Sequence, residues 1–203
     1  MKKKSLATVG ITGLMGSGKS TALKFYKNKG IQTCDLDVEA KKLLKKGTKC
    51  YKQIIKIFGN GILNSNKTIN RRRLRKIVFN NKKDREALNS IVHPELRNQI
   101  SILCNKLKEG GERIIFFEGA LISKQTKIGS SLNYIIYIDA PKKVLKGRIL
   151  RRDGIEEEEA KKLLLMQKII EKNRKYADFT IRNNSNVKEF NHQLNLVLDK
   201  LVY

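Results

Sequence analysis

Short, nearly continuous apolar runs alternate with longer amphipathic stretches along this chain. Leu6-Ala7-Thr8-Val9-Gly10-Ile11, Arg113-Ile114-Ile115-Phe116-Phe117 and Tyr134-Ile135-Ile136-Tyr137-Ile138 are the clearest runs. Strands buried on both faces of a parallel sheet need that pattern, because neither side of the strand meets water. Shorter strands are predicted over residues 30–34 and 179–181. Helical periodicity fills the intervals: residues 21–26, a stretch opening at Val38, most of 50–107, then 141–152, 156–175 and 187–201. Within 50–107, Ile54, Ile57 and Phe58 make one apolar face and Leu74, Ile77 and Val78 another. Pro94 reads as the start of a new helix, with Leu96, Ile100, Leu103 and Leu107 on its inner face.

Taken in order, these elements predict an α/β fold: a doubly wound parallel sheet of about five strands with two helical excursions. One kinase-like domain is expected over 1–203, with a core at about 1–48, 110–140 and 176–203. The first excursion, about 49–109, is a helical insertion suited to holding an acceptor. The second, about 141–175, is a helical lid.

Composition narrows the setting. A chain of 203 residues with two prolines and no Trp buries a real core and leaves no linker-like stretch. Cys34, Cys50 and Cys104 are odd in number and widely spaced, which fits a reducing cytoplasm better than a disulfide framework or a metal site. No apolar run is long enough to span a membrane. Met1-Lys2-Lys3-Lys4 before an apolar segment imitates a secretion signal, yet that segment is better explained as the first strand. Net charge is +25, which invites a nucleic-acid reading. The charge is mostly lysine spread over every predicted helix, with no aromatic strand pair or zinc pattern beside it. No specific nucleic-acid partner is therefore expected, and a polyanionic small substrate draws on the same field. The oligomeric state stays open.

The chemistry is concentrated after the first strand. Gly13-Leu14-Met15-Gly16-Ser17-Gly18-Lys19-Ser20 fits G-x-x-x-x-G-K-[ST], the phosphate-binding P-loop, and Thr21 continues it into a helix. Such a loop turns tightly enough for successive N–H groups to face one phosphate, with a helix N-terminus behind them. Lys19 is expected to reach the β- and γ-phosphates of ATP, and Ser20 to offer its hydroxyl to Mg²⁺.

Other candidates come from strand ends and helix faces. Asp35-Leu36-Asp37 closes the second strand at the end where open α/β sheets bind ligands. A carboxylate there can take a proton from an attacking hydroxyl, and Asp37 is favoured for this role, whereas Asp35 serves equally as a helix cap. Arg148 and Arg152, four apart, put two guanidinium groups on one helical face. They could neutralise a transferring phosphoryl group or form a solvated face paired with the four glutamates at 156–159. Glu118 ends the third long run, near where an acid can assist Mg²⁺, though it could equally cap a turn. Arg71-Arg72-Arg73 with Arg75 could grip phosphates or face solvent, and His93 reads as a helix-start residue.

From about Val9 to Asn183 the chain resembles the dephospho-coenzyme A kinase family, in the family's own order of motifs. These are Ile11-Thr12-Gly13 leading into the P-loop; Asp35-Leu36-Asp37-Val38-Glu39-Ala40-Lys41, similar to D-x-D-x-x-A-[RK]; and Arg71, Leu74, Phe79, Leu88-Asn89 and His93-Pro94. Arg148, Arg152, Gln167, Ala177-Asp178 and Ile181-x-Asn183 follow. The resemblance implies transfer of the ATP γ-phosphoryl to the 3′-hydroxyl of dephospho-coenzyme A, with Mg²⁺. It casts Asp37 as base, Arg148 and Arg152 as lid residues and Asn183 as a neighbour of the adenine. Asp35, Lys41, Arg71 and His93 fall on the acceptor side. Two departures stand out. The family's Pro-Leu-Leu-x-Glu element is here Glu118-Gly119-Ala120-Leu121-Ile122-Ser123-Lys124, without the proline and with Lys124 in place of the acid. Lys41 keeps a charge where an Arg would give a bidentate contact.

If the positive charge is general composition, RNA should associate non-specifically at low salt and release steeply toward physiological ionic strength. Filter binding across a salt series tests this; tight, sequence-selective binding at physiological salt would contradict it.

Overall fold

In a computed structural model, which describes residues 6–120, 122–184 and 186–202, five parallel strands form one sheet in the order β2-β3-β1-β4-β5. They are β1 (Ala7–Gly13), β2 (Gln32–Asp35), β3 (Ile114–Glu118), β4 (Tyr134–Asp139) and β5 (Phe179–Arg182). The apolar runs account for this sheet. β1 lies between β3 and β4, with Ile11 level with Glu118 on one side and Ile136 on the other. The chain therefore leaves β1 at the point where its two halves diverge, which is where open α/β sheets build ligand sites.

Each face of the sheet has its own core. On one face, Val9, Ile11, Ile114, Phe116, Ile136 and Ile138 pack with residues of helices α1 (Lys19–Asn28) and α9 (Val187–Val202). The centre of that layer is Tyr26 of α1, fully buried and stacked on Phe116 at 3.7 Å between ring centroids. Its hydroxyl donates to the Leu194 carbonyl of α9 at 3.1 Å, and burial pushes its pKa well up. On the other face Tyr137 packs with Leu14, Ala140, Leu145 and Ile170. Leu145 belongs to α6 (Lys142–Asp153) and Ile170 to α8 (Lys168–Lys172). Burial, then Asp139 and Glu171, push the Tyr137 phenol up to about 12.

The segment expected to form a lid is not one long helix. The predicted helix over 156–175 is broken into α7 (Glu157–Leu165), α8 and a 3-10 turn, Asn173–Tyr176. The break falls at Met166 and Gln167, and its cause is a tertiary bond described below. Among the described residues, none of the glutamates at 156–159 forms an ion pair with Arg148 or Arg152. Glu157 pairs with Lys146 at 2.6 Å and Lys161 at 3.3 Å, and Glu158 pairs with Lys161 at 2.8 Å.

The departure after β3 finds its account here, although Leu121 lies outside the described residues. Lys124 Nζ donates to the carbonyls of Leu132 and Asn133 at 3.0 and 2.9 Å and lies 3.5 Å from Asp178 Oδ2. Asp178 in turn accepts the Ile135 N–H at 2.7 Å. An ammonium thus ties the loop before β4 to the residue before β5, a task for which an acid has the wrong charge.

Residues 36–106 form a second compact unit, distinct from the sheet-bearing unit of residues 1–35 and 107–203. It takes in α2 (Leu36–Leu43) with α3 (Lys49–Phe58), α4 (Arg71–Asn80) and α5 (Lys82–Glu109). A new helix does not start at Pro94, which lies inside α5. Pro94 is exposed, while Ile91, Val92, Leu96 and Ile100 on either side are buried. The apolar face runs straight across the proline. Burying it, at roughly 1.5–3 kcal/mol per side chain, outweighs a missing amide that costs about 3 kcal/mol. His93 is therefore a mid-helix residue, not a helix start. Ile57, expected on an apolar face, is 54% exposed, and Ile54 alone of that trio is fully buried. Among the described residues no helix is long and apolar enough to cross a membrane.

Tyr26→Ala is expected to lower unfolding stability by about 3–5 kcal/mol, as other large aromatic truncations do. Tyr26→Phe keeps the ring stack and should lose only about 1 kcal/mol with the hydroxyl's bond. Urea melts of both variants check the ranking; equal losses would mean that the hydrogen bond, not the stack, holds α1 to the sheet.

Candidate active site

The loop after β1 is turned by residues that tolerate its backbone. Gly13, Gly16 and Gly18 adopt φ of 146°, 79° and 104°. Two of them are also sterically locked. A Cβ on Gly13 would lie 2.4 Å from the Ile138 carbonyl oxygen, and one on Gly18 would lie 2.2 Å from Asn183 Nδ2. The loop ends in α1, which starts at Lys19.

Side chains far along the sequence hold the outer side of this loop. Asn183, buried just beyond β5, donates from Nδ2 to the Ser17 carbonyl at 2.7 Å. Its own N–H is anchored on the Asp139 carbonyl at 2.7 Å. Arg148 of α6 donates to the Gly16 carbonyl at 3.2 Å and to Asn183 Oδ1 at 3.2 Å. Burial, and then Arg151 beside it, lower the Arg148 pKa, yet a guanidinium stays charged. Lys19 Nζ donates to the Leu14 carbonyl at 3.2 Å. The Met15 N–H is held differently, donating to Gln167 Oε1 at 2.7 Å. That bond draws the chain inward where α7 gives way to α8, which explains the break.

The sequence motifs converge here in part. Lys19, Ser20, Thr21, Arg148, Arg152 and Asn183 line one cavity of about 490 Å³, closed by Phe190 and Val187 of α9. Ser20 Oγ donates to Glu118 Oε1 at 3.1 Å, and Glu118 is buried at the end of β3. Arg152 lines the cavity but forks onto its neighbour Asp153 at 2.7 and 2.8 Å, which raises its pKa. Of the two arginines, Arg148 is bonded to the loop and Arg152 to its own neighbour.

Asp35 closes β2 level with Glu118 of β3. Asp37 follows in the first turn of α2, exposed. In the second unit, Lys41 and Arg71 line a cleft of about 630 Å³. His93 does not line it; it sits half-buried in α5, its pKa lowered by burial and then by Arg97.

Gln167 and Asn183 grip the loop in ways that local pattern does not announce. Asn183 had one legible signal, its position at the carboxyl end of a parallel strand. Gln167 had none beyond its place among the family's motifs.

Comparison with known proteins places this geometry. The sequence model of the dephospho-CoA kinase family matches residues 7–189. A dephospho-CoA kinase of Listeria monocytogenes is 33% identical over 196 residues, covering 96% of this chain and 97% of its own. The solved dephospho-CoA kinase from Campylobacter jejuni superposes with a TM-score of 0.70 at 28% identity, over 96% of both chains. A shikimate kinase from Acinetobacter baumannii shares the fold, with a TM-score of 0.54 at 17% identity over 98% of this chain and 97% of its own. With the family match spanning the sheet, the loop, the second unit and the lid, the chain belongs to the dephospho-CoA kinase family of ATP-dependent kinases.

Proposed function

We propose that the cavity beneath α6 takes the triphosphate of ATP and that Asp37 serves the 3′-hydroxyl of dephospho-coenzyme A as it attacks the γ-phosphorus. The observation that carries this reading is the convergence of Lys19, Ser20, Glu118, Arg148 and Asn183 on one loop at the divergence point of the sheet. A loop whose carbonyls are held from outside presents its amides inward to an anion.

Each residue then has a task. Gly13, Leu14, Met15, Gly16, Ser17 and Gly18 wrap the phosphates, and Thr21 extends that wall along α1. Lys19, now on the Leu14 carbonyl, swings to the β- and γ-phosphates when they enter. Arg148 supplies positive charge from a partly dry position, where it acts with less solvent screening. Arg152 exchanges Asp153 for the phosphoryl oxygens. Asn183 holds the loop next to the space open to adenine. Asp35, Lys41, Arg71 and His93 belong to the acceptor side, with the helical insertion of about 49–109 holding the acceptor and residues of about 141–175 acting as the lid.

Mg²⁺ fits the oxygens present. Ser20 Oγ and the buried Glu118 carboxylate give a hydroxyl and an acid at 3.1 Å from each other. Mg²⁺ takes one or two protein oxygens and completes its shell with phosphates and water. When bound, the ion neutralises charge on the β- and γ-phosphates. A cytoplasmic setting suits Cys34, Cys50 and Cys104, which are thiols rather than disulfides.

Asp37→Asn is nearly isosteric and should leave ATP binding intact while lowering kcat by about 10²–10⁴-fold. Asp35→Asn should lose less. Steady-state kinetics with a pH–rate profile decide the point: a base gives an acidic limb that the Asn variant lacks. Near-normal activity in Asp37→Asn with a dead Asp35→Asn would transfer the role to Asp35.

Removing Arg148 should lower kcat more than it raises the KM for ATP, since its charge matters most in the transition state. Lys19→Ala should abolish nearly all turnover at little cost in thermal stability. Normal turnover in Lys19→Ala would refute the loop assignment.

A further inference from the structure

Resting on the reading above, we propose that Gln167 is a positioning residue for phosphoryl transfer. From 152 positions away it sets the Leu14–Met15 peptide plane of the phosphate-binding loop. That peptide is held from both of its polar sides. On one side the Leu14 carbonyl accepts the Ser17 N–H at 3.1 Å and Lys19 Nζ at 3.2 Å. On the other the Met15 N–H donates to Gln167 Oε1 at 2.7 Å. When Lys19 leaves for the β- and γ-phosphates, the carbonyl side loses its charged donor. The Gln167 carboxamide is then the side-chain bond that keeps the plane from turning. A turned plane exchanges N–H for C=O in a loop that receives an anion, and displaces the residues that follow it. Glutamine also supplies its acceptor without a charge, which suits a site that must take in a polyanion.

The corner that carries Gln167 is fixed independently of this bond. Gln167 donates its own N–H to the Leu164 carbonyl at 3.1 Å and accepts the Glu171 N–H at 3.0 Å as α8 begins. Glu171 pairs with Lys142 at 3.0 Å, and Arg174, just beyond α8, pairs with Asp139 Oδ2 at 3.0 Å. Apolar packing closes the same corner: buried Leu14 shares a cluster with Ile170, and Leu164 lies against it. The carboxamide therefore reaches Met15 from a backbone already in place, so little ordering is left for the bond itself to impose. Asp139 supports both remote holds on the loop, since its carboxylate anchors the segment bearing Gln167 and its carbonyl seats Asn183.

The rival explanation is that Gln167 only fills space where α7 ends. Gln167→Leu keeps the bulk and removes the acceptor, whereas Gln167→Glu keeps an acceptor oxygen and adds a charge. At saturating substrates the Leu variant is expected to lose about 10- to 100-fold in kcat, the cost of slightly misplacing the reacting groups. Its KM for ATP should change less than about threefold, because the remaining loop amides and Lys19 still bind the phosphates. The Glu variant should recover most of the lost kcat while its KM for ATP rises through repulsion. The chain has three methionines, and Met1 has no peptide N–H, so 15N-methionine labelling isolates the Met15 and Met166 amides. Deuterium exchange at Met15 should be slow in wild type and the Glu variant, and about tenfold or more faster in the Leu variant. A Leu variant with wild-type kcat, or with unchanged exchange at Met15, overturns the proposal. So does a Glu variant no better than the Leu variant. If Gln167→Leu does not fold, Gln167→Ser, too short to reach Met15, takes its place under the same criteria. A wild type that transfers nothing to dephospho-coenzyme A refutes the underlying reading; an active wild type matched by its variants refutes the positioning role alone.

Discussion

A phosphate-binding loop turns amides toward its anion, and the carbonyls on its other side then need donors of their own. Here Leu14, Gly16 and Ser17 find them in Lys19, Arg148 and Asn183. Two of those donors are more than 130 positions away in sequence. The sheet exists, in this sense, to deliver them. β4 brings Asp139, whose carbonyl seats Asn183 at the end of β5, and the following helix brings Arg148. The two apolar layers fix those strand ends, since β1, β3, β4 and β5 all contribute to the layer under α1 and α9.

The same network links the loop and α6 electrically. Arg148 is partly desolvated and crowded by Arg151, so its charge is less comfortable than that of a surface arginine. On the proposed reading, an arriving polyphosphate would relieve that discomfort. Arg152 is the opposite case, already satisfied by Asp153, and must give up a good fork to act. On the proposed reading, two arginines of one helical face would meet the same anion with different balances: one limited by desolvation already suffered, the other by a partner still to be lost.

Much of this was legible in the chain. The three long strands follow from uninterrupted apolar runs, and the loop from a contiguous motif whose chemistry is local. What escaped was long-range. Pro94 is a good opening residue for a helix in isolation, but Val92 and Leu96 bury one continuous face across it. The interruption at Met166 and Gln167 is invisible to periodicity, because a bond to Met15 causes it and no breaker residue marks it. Ile57 shows the reverse error: helical spacing put it on an apolar face, yet its side of α3 is exposed. Among the site residues, Lys19 and Ser20 could be read from spacing alone, while the grip of Asn183 on Ser17 depends on topology.

Gly18 carries a further consequence. Its φ of 104° already disfavours any side chain, and a methyl group there would overlap Asn183 Nδ2 at 2.2 Å. The two restrictions have different remedies. Trimming position 183 frees space but leaves the backbone conformation, and strips the Ser17 carbonyl of its donor and Arg148 of an acceptor. Relaxing the backbone moves the amides that face the phosphate. No single second change repairs both, so positions 18 and 183 are mutationally entangled. A path through sequence space that changes position 18 first leaves the loop crowded, and one that changes position 183 first leaves it untethered.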